Sequence, residues 1–152
     1  LINEHNYSAA CKLHTKRSIH RIDGDEIRNQ LLDSLIGCEK KTKNIVERLA
    51  SNRTLGLVVP DDFLILHDHQ NMACNRETVL NACEILGMNF KYDVFPAGSM
   101  FWFKPEALRD MKKFKPSDFD AEHGFADGTL PHGIERIFCL LAAKSGYTTE
   151  TC

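Results

Sequence analysis

The chain reads as an α/β domain, with a mostly parallel sheet flanked by helices. Two observations predict it. Leu55-Gly56-Leu57-Val58-Val59 is a continuous apolar run stopped by Pro60, as expected of a strand buried on both faces beneath helices. Segments with apolar residues at helical spacing stand between such runs, and that alternation belongs to α/β proteins.

The elements follow in order. Tyr7 to Leu13 is a short apolar stretch, predicting a strand that delivers the polar segment 12–18 at its C-terminal end. Asp23-Gly24-Asp25 opens a helix: Asp23 can cap exposed backbone N–H groups, and Asp25 and Glu26 complement the helix dipole. Ile27, Leu31, Leu32 and Leu35 share one face of that helix, and Gly37 ends it. A second helix is predicted over Glu39 to Ser51, with Ile45, Val46 and Leu49 inward. After the Leu55 to Val59 strand, Arg76 to Leu86 is a third amphipathic helix closed by Gly87. Phe95 to Phe103 reads as a turn followed by a strand, and Pro105 starts a short helix through Met111. The polar stretch from Lys112 to Gly128 reads as a long loop, and long loops in compact domains often carry function. The last helix runs from Pro131 to Lys144 and ends at Gly146.

Composition narrows the function classes. The 152 residues suffice for a single domain over 1–152, and a net charge of -2 gives no bulk reason to seek nucleic acid, so anion binding must be local. No apolar run approaches the ~20 residues that cross a bilayer, and no secretory signal is seen. The six cysteines lack the close spacing of a zinc knuckle or redox dithiol, which predicts reduced thiols and a cytoplasmic setting. A start at Leu1 rather than Met predicts a piece of something longer.

Four groups of residues could carry chemistry. His14, Lys16 and Arg17 lie beyond the first strand, where open α/β sheets bind ligands; such cations suit a diphosphate, or else form a solvated basic loop. Gly98, Ser99 and Trp102 belong to a turn and aromatic strand, where Gly98 permits close backbone approach and Trp102 could stack on a sugar. Phe101 and Phe103 read as core, with Trp102 on the opposite side. Asp127 precedes the last helix, and His132, Glu135 and Arg136 share one of its faces. A carboxylate there could be a general base or bind a divalent cation through oxygen; a helix cap and a Glu135–Arg136 ion-pair network serve equally. His67-Asp68-His69 could share a metal if it lay on a strand, although Gln70 and Asn71 suggest a loop.

Three stretches together resemble the rhamnan synthesis protein F family. They are Cys11 to Ser18 with Asp23-Gly24-Asp25 and the Leu31 to Leu35 helix, Phe95 to Leu108, and Asp127 to Arg136; with Leu55 to Pro60 they span nearly the whole chain. The resemblance implies a role in bacterial surface polysaccharide synthesis, through a GT-A-like glycosyltransferase of which this chain is the C-terminal part. It implies a nucleotide-sugar donor, a glycan or lipid-linked acceptor, a divalent cation (magnesium or manganese), and peripheral association of the full-length protein with the inner face of the membrane. Asp23-Gly24-Asp25 has the letters of an Asp-x-Asp metal motif, but its place at a helix start fits capping equally well. On this reading Asp127 and Glu135 are catalytic. His14, Lys16, Arg17, Gly98, Ser99, Trp102, His132 and Arg136 bind substrate. The rival class is a non-catalytic saccharide- or partner-binding module.

Overall fold

A computed structural model describes residues 7–14, 22–120 and 127–152. The elements in chain order are β1 (Ala10–Lys12), α1 (Gly24–Ile36), α2 (Glu39–Ser51), β2 (Leu55–Val59), β3 (Leu64–Leu66), α3 (His69–Met72) and α4 (Arg76–Leu86). They continue with β4 (Val94–Pro96), β5 (Phe101–Phe103), a kinked 3-10 segment Pro105–Lys113, α5 (Leu130–Glu135), α6 (Phe138–Lys144) and β6 (Thr148–Thr151). Helices α2 and α4 and strand β2 have the predicted bounds. The last helix is split: α5 stops at Glu135 and α6 begins at Phe138. Asp23 stands at the head of α1, but its side chain makes no cap bond; its carbonyl accepts from Ile27 N instead.

The sheet corrects the expected strand directions. Its order is β1-β5-β2-β6, with β5 antiparallel to both β1 and β2 and only β2–β6 parallel. All five residues of β2 are buried, as its apolar run predicts. Burial on two faces requires cover on both sides, however, and leaves the direction of the neighbouring strands open. A separate antiparallel pair, β3–β4, leads through the tight turn at residues 97–100 into β5.

Strand alternation sorts the core into two sides, except that a register shift between Leu55 and Leu57 turns Leu55 to the side of Val58. Leu57, Val59, Phe101 and Phe103 pack with Val79 and Leu86 of α4, Ile134 of α5 and Leu141 of α6. On the other side, Leu55 and Val58 meet Ile45 and Leu49 of α2, while Met100 meets Leu31 and Leu35 of α1. Trp102 bridges the second pair of clusters. Gly133 lets α5 lie against α4, since a Cβ there would stand 2.6 Å from the carbonyl carbon of Thr78. The six cysteines are free, and none of the described helices is long and apolar enough to cross a membrane.

Candidate functional site

The turn joining β4 to β5 is the centre of the site. Gly98 has φ +76° and Ser99, without glycine's freedom, has φ +57°. Two elements hold this left-handed pair. From β1, the Lys12 ammonium donates to the Ser99 carbonyl at 2.7 Å and to its hydroxyl at 2.9 Å. From the end of α5, Glu135 Oε1 accepts the Gly98 N–H at 3.2 Å. His14 Nε2, just past β1, donates to the Gly98 carbonyl at 2.7 Å. Among the described residues the other ring nitrogen, Nδ1, is buried without a hydrogen-bond partner.

Electrostatics follow from the shielding. Burial raises the pKa of Glu135, while Arg136, the Gly98 N–H, His132 and Lys12 pull it back down. Burial lowers the pKa of Lys12, and Glu135 opposes that shift. A carboxylate and an ammonium are thus held near each other, each made reluctant to carry charge by shielding and each helped by the other. Such opposed groups in one place are a common mark of functional sites.

Asp127 and Arg136 form a neighbouring network. Asp127 Oδ1 accepts from Asn75 Nδ2 at 2.9 Å and from Arg136 Nη2 at 3.3 Å. Asn75 is fully buried and accepts the Gly128 N–H with its side-chain oxygen. Arg136 also donates to the carbonyls of Asn71 and His132 and lies over the Phe95 ring. The expected Glu135–Arg136 ion pair is therefore replaced by an Asp127–Arg136 pair. His132 Nδ1 shares a hydrogen bond with the Thr129 hydroxyl in a capping box at the start of α5.

The structure brings His14, Gly98, Ser99 and Glu135 together, with Arg136 and Asp127 beside them. It sends Trp102 elsewhere. The indole faces α1 and α2 and donates to the Leu35 carbonyl at 3.1 Å, on the side of the sheet opposite Phe101. Lys16 and Arg17 lie outside the described residues. His67 is not arranged as a metal ligand: Nε2 donates to the Arg136 carbonyl and Nδ1 accepts from the Asp93 N–H, so no lone pair remains, while Asp68 and His69 begin α3. Sequence reasoning missed Lys12 and Asn75. Lys12 had a signal as the one charge in an apolar strand; Asn75 had only its place before a helix.

Most of the chain matches a known family. The family model for rhamnan synthesis protein F aligns with residues 3–147. The chain belongs to that family. Membership ties it to rhamnan, and hence polysaccharide, synthesis. It is also similar to a protein described as uncharacterized protein WxcX from Xanthomonas campestris pv. campestris strain B100, at 34% identity over 97% of the chain. The WxcX protein of strain ATCC 33913 is similar to the same extent. The chain spans 22% of the length of these relatives. No solved structure matches it.

Proposed function

We propose that this chain is part of a GT-A-like glycosyltransferase. It would move rhamnose or a related sugar from a nucleotide-activated donor to a glycan or lipid-linked acceptor, at the cytoplasmic face of the membrane. The observation that carries the reading is the meeting of Lys12, His14 and Glu135 on the strained Gly98–Ser99 turn. Cations are needed where a diphosphate leaves, and a carboxylate with a raised pKa suits proton removal from a sugar hydroxyl.

The roles then divide. Glu135 is the general base, and Asp127 orients Arg136 towards substrate. Lys12 and His14, with Lys16 and Arg17 beyond the described residues, take the charge of the leaving diphosphate. Magnesium or manganese would share that charge. Among the described residues, however, the partners of Asp127 are the hydrogen-bond donors Arg136 and Asn75 rather than further carboxylates, and no cluster of three metal ligands forms.

Asp127→Asn in the full-length protein, followed by polymer assembly, tests the reading. Transfer should fall while the protein stays folded; unchanged transfer removes Asp127 from the site. The second reading, a non-catalytic saccharide-binding module, is favoured by the engagement of Asp127 and Arg136 in hydrogen bonds within the protein. Titration with nucleoside diphosphates separates the two, since only the transferase requires them to bind.

A further inference from the structure

A second hollow opens along the outer side of β1, between that strand, the 3-10 segment 105–113 and α6. It encloses about 380 Å3 and is walled by Leu108, Met111 and Phe138. Lys12, Arg109 and Lys112 also line it, and among the described residues no acidic one does. Leu108 and Phe138 are 7% and 4% exposed, so the walls are part of the core, whereas Arg109 and Lys112 stand in solvent. Lys12 has two contacts on Ser99 and reaches over the Phe138 ring, at 5.8 Å from its centroid.

We propose that this groove binds an anionic amphiphile: one apolar chain lying against Leu108, Met111 and Phe138, with its phosphate headgroup held by Arg109 and Lys112. The volume lies within the range of small-molecule sites, roughly 300–1,000 Å3. Apolar walls reward a chain that leaves water and offer a neutral sugar few partners. A rim of cations without carboxylates selects an anion, and the Arg109 guanidinium can hold two phosphate oxygens. The phosphate is therefore lipid-borne rather than free, because free phosphate would leave the walls unused.

The inference goes beyond the transferase reading and is read by binding alone. The probes are hexyl, octyl and decyl phosphate, decanol and inorganic phosphate, titrated calorimetrically into the full-length protein below micellar concentrations. Affinity should rise about four-fold per methylene, equivalent to ~0.8 kcal/mol. Decanol and inorganic phosphate should each bind at least about ten-fold more weakly than decyl phosphate. The double variant Arg109→Glu/Lys112→Glu changes only exposed side chains, so it should fold, keep the chain-length slope and lose the preference for phosphate. Met111→Glu should flatten the slope. A flat series in the unaltered protein, equal binding of decanol and decyl phosphate, or an unaffected double variant overturns the proposal. None of these results touches the transfer assay, and loss of transfer in Asp127→Asn leaves the groove as proposed.

Discussion

Trp102 and Lys12 sit on neighbouring strands, one residue out of register, and alternation sends them to opposite sides of the sheet. On the α1/α2 side, the indole N–H is taken up by the Leu35 carbonyl and the ring fills the space between two helices. On the α5/α6 side, the ammonium and Glu135 are drawn out of water near a turn with two consecutive positive φ angles. The first side turns its polar group into fold stability. The second keeps charges where they cost stability, which is how functional sites usually depart from their surroundings.

The sharpest way to break this comparison is Glu135→Gln. If Glu135 is the base, transfer should fall by about 10²–10⁴-fold. Stability should not fall with it. A carboxyl whose folded pKa is raised loses stability as pH climbs from its unfolded value, so the neutral amide should leave the protein equally or more stable at neutral pH. Denaturation midpoints and transfer rates measured on the same sample check both halves. A large loss of stability would mean that Glu135 serves the fold as Trp102 does.

Trp102→Ala should give the opposite pattern. Removing the ring between α1 and α2 should cost about 3 kcal/mol of unfolding free energy, with transfer per folded molecule retained. Trp102→Phe keeps most of the packing and removes the shorter of two bonds to the Leu35 carbonyl, which retains the Thr42 hydroxyl at 3.4 Å, for a cost of up to about 1 kcal/mol. Chemical denaturation separates the two substitutions. A loss of transfer beyond the unfolded fraction would return Trp102 to the site.

Gly98→Ala tests the turn between the two sides. The new Cβ would meet a Leu31 methyl at 2.9 Å and would sit on a backbone with φ +76°. Destabilisation of about 1–3 kcal/mol is expected, since strain and contact act together. Transfer should also drop, because the Gly98 N–H and carbonyl are the points that Glu135 and His14 hold. Thermal melts paired with transfer assays would show whether the turn serves one side or both.

These contrasts also show what was readable in the residues alone. Spacing and terminal residues located α2, α4 and β2, because each rests on a local pattern. Alternation places Trp102 opposite Phe101 and Phe103, and its ring packs against the α1 and α2 clusters there. The antiparallel pairings of β5 depend on which strands meet in space, which no local pattern records. Strand β6 carries a β-branched signal in Thr148, Thr149 and Thr151, but so short a run after the last helix does not by itself distinguish a strand from a tail. On a continuous helix Glu135 and Arg136 share a face, as site residues or as an ion pair. The break after Glu135 turns Arg136 towards Asp127 and Asn71 instead.

The smallest expected effect concerns His67, which supports the network from below. Its ring is 7% exposed, stacks on Phe95, and links the Arg136 carbonyl to the Asp93 N–H. Nδ1 must stay unprotonated to accept that N–H, and burial lowers the pKa of the ring. A histidine whose folded pKa is depressed binds its proton more readily when unfolded. Its contribution is therefore present above the unfolded value of about 6.5 and is lost as pH falls through the lower folded value. Protonation would break the Asp93 bond, a loss of ~1 kcal/mol. Unfolding measured from pH 7.5 to 5 should show this decline in the unaltered protein and a shallower one in His67→Gln. Identical slopes would assign the decline to other groups and leave His67 as packing beneath Arg136.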